Sequence, residues 1–194
     1  TRIEHYARQM TIGAMVRLQR LVDDEQAPTV LRQAARREGP NTFRNVGTIG
    51  GVIATGDRDS ELLAALLVFD AQVEVQTIGG SKKIPLQTFL RDIPAALAGG
   101  VITAVTVATT GIAAAERVAR TPADTPIVAA VARKDENGEI RLALCGVDAA
   151  PVLVDPDNVK AGITPPDDFR GSREYRRQMA AVLSRRVLQA LEQK

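Results

Sequence analysis

The sequence predicts an α+β protein whose two parts differ in pattern. Three observations predict it. Over residues 1–109, short amphipathic helical runs alternate with strand-like stretches, clearest in the alternating run 72–78 and the apolar run 101–107. Beyond residue 110, three strands follow one another at 112–118, 127–133 and 139–147. A helical stripe beginning near Ser172 then closes the chain. The expected organisation is a first domain over 1–109 and a small second domain over 110–194. In the second, a three-stranded antiparallel sheet packs against helices.

Each element has a local reason. Residues 4–13 read as a strand carrying Tyr6, Met10 and Ile12, and 18–22 as a short helix. Pro28 starts a second helix, because a first-turn position needs no N–H. Val30, Leu31, Ala34 and Ala35 give it an apolar face, and Gly39-Pro40 stops it. A glycine turn follows at Thr48–Gly51, then a helix over 60–70. The strand 72–78 places Val73, Val75 and Thr77 on one face, and Gly79-Gly80 turns it into a partner over 82–86. Phe89-Leu90 and residues 93–97 read as short helical pieces, and Gly99-Gly100 leads into the strand 101–107. Asn137-Gly138 signals a type I′ hairpin between the last two strands. The Pro- and Asp-rich stretch 151–169 reads as a loop or short helix. Ser172 caps the final helix, and Tyr175, Met179, Val182, Leu183, Val187 and Leu191 recur at helical spacing. That stripe is core or subunit contact, which leaves a homodimer open.

Composition narrows the function. A chain of 194 residues buries a real core, and 45% hydrophobic with 25% charged residues is ordinary for a globular protein. A net charge of +2 calls for neither nucleic acid nor an acidic membrane. Aromatics at 3% remove most stacking platforms for single strands. The helical arginines, Arg32, Arg36, Arg37, Arg173, Arg176, Arg177, Arg185 and Arg186, read as solvated faces and salt bridges. No window has the apolar length of a membrane helix and no signal-peptide pattern opens the chain, which with a single cysteine points to the cytoplasm. One cysteine and one histidine cannot build a zinc site or an iron–sulfur cluster within this chain. His5 reads as a surface residue of an edge strand, and Cys145 as an inert core thiol. No catalytic residue is nominated.

The segment with chemical content runs from Phe43 to Ala71. Thr48-Ile49-Gly50-Gly51 sets a hydroxyl beside adjacent glycines, which let a ligand approach backbone N–H groups. Some ten residues on, an acidic run ending in Glu61 opens an apolar helix. That pairing suits an anionic group on the turn and a ribose or ring edge near the carboxylate. A turn needed only for chain reversal is the plainer alternative.

Arg44-Asn45, Gly47 to Gly51, Ala54 and Phe69-Asp70-Ala71, in that order, resemble the FAD-binding medium (flavoprotein) subunit of molybdenum hydroxylases of the carbon monoxide dehydrogenase type. Flanking stretches extend the resemblance over most of the chain: Thr11–Ala14, 101–105, and Gly171-Ser172 with Tyr175-Arg176-Arg177. It begins at about Ile3, in the second of the family's two FAD subdomains, so a fragment, a natural short form, or a first subdomain supplied by a separate chain is expected. The resemblance implies a cofactor site at Thr48, Ile49, Gly50, Gly51, Val52, Glu61, Ile102 and Arg117. Its partners would be an iron–sulfur small subunit and a molybdenum large subunit. Electrons would reach FAD on this type of chain, an oxidoreductase component in xanthine dehydrogenase- and aldehyde oxidase-like complexes as well. Three positions depart from the family pattern. Val52 stands where the family has Asn, Glu61 where it has Asp, and Arg117 where it has Lys. The missing half of the cradle and the change to Val52 imply that FAD binds weakly or not at all to the isolated chain. The competing expectation is a flavin-less structural or docking module.

Overall fold

The computed structural model describes residues 2–193. Two antiparallel sheets organise it. The first runs in the order β1-β2-β5-β3-β4, from β1 (Ile3–His5), β2 (Gln9–Gly13), β3 (Gln72–Thr77), β4 (Gly80–Pro85) and β5 (Val101–Ala108). The second runs β6-β7-β8-β9, from β6 (Ile112–Val118), β7 (Val128–Lys134), β8 (Ile140–Cys145) and β9 (Val152–Val154). The expected α+β class holds, but the second sheet has four strands rather than three. Its fourth, β9, lies in the stretch read as loop; Leu142, Ala143 and Leu144 of β8 supply its register. Three residues carry too little alternation to announce a strand without that partner.

The helices are α1 (Leu18–Asp23), α2 (Thr29–Arg37), α3 (Asn41–Arg44), α4 (Ile49–Thr55), α5 (Glu61–Val68), α6 (Leu86–Arg91), α7 (Ile93–Leu97) and α8 (Arg173–Glu192). The N-terminal strand expected over 4–13 is instead a hairpin, with Ile3 opposite Ile12. His5 sits on its outer edge strand, its Nε2 2.9 Å from Asp24 Oδ2. The Asn137-Gly138 turn is also different. Only Gly138 has positive φ, at 86°, and Gly138 N–H donates to Asp135 O. This is a type I turn with a glycine bulge, locked by Asp135 Oδ1, which accepts from Asn137 and Glu139 amides at 2.8 and 2.9 Å.

Helix α5 is the centre of the molecule. Every residue from Glu61 to Val68 is buried. A helix apolar on all sides has no face to give to water, so it is enclosed. It packs against α2 on one side and β7, β8 and β9 on another. Its core continues into Ala129, Val131, Ala143 and Cys145 of the second sheet. Burial lifts the Cys145 thiol pKa well above its ordinary value, with the nearby Glu61 carboxylate adding to the effect. Helix α8 covers the other face of that sheet with Ala180, Leu183, Val187 and Leu191. The buried stripe is turned slightly from the expected one. Tyr175 lies outside it, and Arg176, expected in solvent, is fully buried.

Candidate functional site

Helix α4 positions Thr48. Thr48 is its N-cap, and the side-chain oxygen accepts from Gly51 N at 3.1 Å. The N-terminus of α4 is pressed onto the end of β2: Ile49 N donates to Val16 O at 2.9 Å and Gly50 N to Ala14 O at 2.8 Å. A Cβ on Gly50 would lie 2.7 Å from Ala14 Cβ and 2.9 Å from Ala14 O, so this approach requires glycine. A Cβ on Gly51 would meet only Thr48 Oγ1, at 3.2 Å. The two glycines therefore differ in role: Gly50 makes the packing and Gly51 leaves space on the outer side.

That space is a cleft of about 390 Å³, within the range of small-molecule sites. Helix α3 builds one wall. Arg44 anchors it, donating from Nε to Gln19 Oε1 at 2.9 Å and from a terminal nitrogen to Gly39 O at 2.5 Å. Phe43, turned between Gly39 and Gly47, and the exposed Val46 give that wall its apolar surface. Thr48, Gly51, Val52 and Thr55 form the α4 side, and Glu38 and Asp57 close the polar end.

Glu38 does two things there. Its Oε1 accepts from Ser60 Oγ at 2.7 Å and from Leu62 N at 3.1 Å, so it caps the start of α5. Burial pushes its pKa up to about 7, against the pull of those two hydrogen bonds. The neighbouring carboxylates Asp57 and Glu61 push in the same direction as burial.

The nominated residues divide among several places. Thr48, Gly51 and Val52 line the cleft; Ile49 and Gly50 are buried behind it. Glu61 and Arg117 meet each other elsewhere, inside the protein. Arg117 Nε lies 3.0 Å from Glu61 Oε1 and Arg37 donates to Glu61 Oε2 at 2.9 Å, so both carboxylate oxygens are engaged. The Arg117–Glu61 contact is an ion pair whose angle does not make a hydrogen bond. Arg117 also donates to the carbonyls of Pro122 and Asp124. Ile102 sits half-buried on β5, opposite Val75. Sequence reasoning passed over Glu38, Phe43 and Val46 as site residues, and took Asp57 only as the start of the acidic run before α5. The Phe43 and Val46 positions fall inside the motif it used, and Glu38 stands ten residues before Thr48 at a helix end.

Residues 1–109 match the model of the FAD binding domain in molybdopterin dehydrogenase. The chain belongs to that family. The uncharacterized protein YgfM of Escherichia coli is 32% identical over 187 residues, covering 90% of this chain and 70% of YgfM. The glyceraldehyde dehydrogenase medium chain of Sulfolobus acidocaldarius is 26% identical over 205 residues, covering 90% and 73%. Among solved structures, a carbon monoxide dehydrogenase of Hydrogenophaga pseudoflava superposes with a TM-score of 0.86 at 23% identity, over 98% of this chain and 77% of that one. At that identity the likeness shows the fold.

The family implies FAD, and the cleft fits one part of it. Apolar walls and the Thr48 hydroxyl suit a flavin's uncharged ring and ribityl portion. The pyrophosphate fits poorly. The Ile49, Gly50 and Gly51 amides already have acceptors, and no lysine, arginine or histidine is among the residues lining the cleft. No helix of the described residues is long and apolar enough to cross a membrane.

Proposed function

We propose that this chain is an FAD-binding electron-transfer subunit of a molybdenum hydroxylase, with the cleft beside Thr48 as its part of the flavin site. Membership of the FAD-binding family, with a glycine-opened cleft lying inside the matched segment, carries the reading. The flavin supplies the redox chemistry when bound: it accepts electrons and passes them to an acceptor. The chain's own work is to hold and orient that group. Phe43, Val46 and Val52 exclude water from an apolar portion, and Thr48, whose oxygen is already an acceptor, keeps its hydroxyl proton free to donate. Ile102 and the Glu61–Arg117 pair support the fold around the site, and become ligand contacts only where a partner rearranges them. The partners are an iron–sulfur small subunit and a molybdenum large subunit, and the complex is cytoplasmic. Because the three amides at the N-terminus of α4 are spent within the chain, the isolated protein binds FAD weakly and purifies colourless.

Absorption spectra between 350 and 500 nm (roughly the flavin window) test this, on the purified chain and on its complex, each with and without added FAD. Uptake by the complex and little by the chain alone is expected. A complex that takes up no flavin sinks the reading and leaves the second one, a structural or docking module. The occupied Ile49 and Gly50 amides and the fully paired Glu61 favour that second reading.

A further inference from the structure

The turn from Asp168 to Gly171 displays a large apolar side chain that little of the chain covers. Phe169 is 88% exposed, whereas Phe69 and Phe89 are buried. Neither Phe169 nor Arg170 has a positive φ, so the backbone of the turn does not call for this residue. The turn is also braced. Asp168 and Gly171 exchange backbone hydrogen bonds at 3.4 and 3.1 Å, and Asp168 Oδ1 accepts from the Arg170 and Gly171 amides at 2.9 and 3.3 Å. Arg176 and Arg58 in turn fix the Asp168 carboxylate. The partly exposed Tyr175 ring lies beside Gly171. A lone exposed apolar residue is ordinary on a surface, but one held in place on a braced turn loses little freedom when it docks.

Phe169 forms part of the wall of a depression of about 380 Å³, with Arg58, Arg120 and Arg170 around it and Asp124, Asp168 and Ile127 also lining it. Asp59 pairs with Arg58 and Arg170, and Asp124 lies 3.5 Å from Arg120. Each of the three lining arginines still keeps a terminal guanidinium nitrogen with no acceptor among the described residues. The exposed Asp167 beside Phe169 and Asp57 near Arg170 make the rim mixed in charge, so what stands unmatched there is hydrogen-bond donors rather than net charge. Aromatic side chains and arginine are the residue types enriched in protein interfaces and in their hot spots.

We propose that this turn anchors the chain to a different subunit of its complex: Phe169 enters an apolar pocket on that subunit, and the rim of the pocket offers carboxylate or carbonyl oxygens to Arg58, Arg120 and Arg170. This inference rests on the subunit reading above and is independent of whether flavin occupies the cleft beside Thr48. Burying the ring recovers apolar area now in water, and planar guanidinium groups match carboxylates in paired hydrogen bonds.

The test is the dissociation constant of the full chain for the iron–sulfur and molybdenum subunits, measured for the parent and three variants. Phe169→Ala should bind about thirtyfold more weakly, the loss typical of an interface hot spot. Arg120→Glu changes a side chain that is 63% exposed and should weaken binding about tenfold or more, by turning a carboxylate toward the oxygens of the rim. Ile78→Ala trims a fully exposed apolar side chain between β3 and β4 and should bind like the parent. Parent-like binding by Phe169→Ala overturns the proposal. So does equal weakening by Ile78→Ala, or tighter binding by Arg120→Glu. If sedimentation of the parent chain alone shows a dimer that Phe169→Ala dissolves, the turn serves a second copy of this chain and the proposal is overturned. A parent chain that binds neither subunit overturns the subunit reading together with this one, whereas binding that does not depend on Phe169 overturns this one alone.

Discussion

Glu38 and the two central glycines each make a separate demand on the fold. Glu38 is more easily protonated in the folded chain than in the unfolded one, where a glutamate titrates near 4.5. Its folded value near 7 means the native state holds an extra proton between those limits. Stability from this group is therefore full below pH 4.5 and is lost as pH rises to about 7. Glu38→Gln removes the loss, so at pH 8 the variant should be more stable than the parent by about 1–2 kcal/mol, and at pH 4 the gap should close. Urea unfolding at the two pH values measures it; a gap independent of pH would remove the titration. The glycines predict opposite outcomes. Gly50→Ala drives a methyl into Ala14 and should destabilise by about 1–3 kcal/mol. Gly51→Ala meets only the Thr48 oxygen, so the helix keeps its melting temperature while the methyl enters the cleft and weakens flavin binding. Thermal unfolding beside a flavin titration separates the two, and matching losses of stability would erase the distinction.

Elements end where local chemistry and distant partners agree. Helix α5 closes in a Schellman motif: Ala71 N donates to Leu66 O and Asp70 N to Leu67 O. The left-handed residue is Asp70, with φ of 58°, a position that usually takes glycine. Its carboxylate explains the exception. It accepts from Arg133 at 2.9 Å and pairs with Arg141, so the strained corner ties α5 to β7 and β8. Arg133, almost fully buried, also stacks 5.3 Å from the Phe69 ring centroid. Asp70→Ala loses the pairs and keeps the strain; Asp70→Gly loses only the pairs. The alanine variant should be the less stable by about 1 kcal/mol, measured by chemical denaturation. Equal losses would show that no strain is held there. Helix α8 is held by another buried arginine. Arg176 donates to Ile127 O at 2.6 Å, Gly146 O at 2.8 Å and Asp168 Oδ1 at 2.7 Å. Burial opposes ionisation of Asp168, yet Arg176 and the Arg170 amide keep its pKa below the ordinary value. Arg176→Met orphans those acceptors and should cost about 3–5 kcal/mol, seen as a loss of soluble, cooperatively folding protein. A variant that unfolds like the parent would make the network incidental.

These particulars explain what was legible in the sequence. The apolar character of α5 was, because residues 62–68 carry no polar side chain; the burial of Glu61 at its start was not. Also legible was the Ser172 cap, whose oxygen accepts from Tyr175 N at 3.2 Å, since capping is local. The buried place of Arg176 was not, because its acceptors come from residues 127, 146 and 168, brought together only by the second sheet. β9 needed β8 in the same way. Within the site, Thr48, Gly51 and Val52 were legible from the motif. The internal use of the Ile49 and Gly50 amides was not, because it depends on where the end of β2 lies. The Glu61–Arg117 pair joins α5 to β6 across 56 positions of sequence (117 − 61), and spacing carries no trace of it. On the scale of the whole molecule, these links run through α5. It touches the first half through α2 and the second through β7, β8 and β9. Its amides can therefore meet solvent deuterium only when α2 and the second sheet let go at once. Their exchange should be the slowest in the protein and should report the free energy of global opening, while β1 and α7 at the periphery exchange through local fraying.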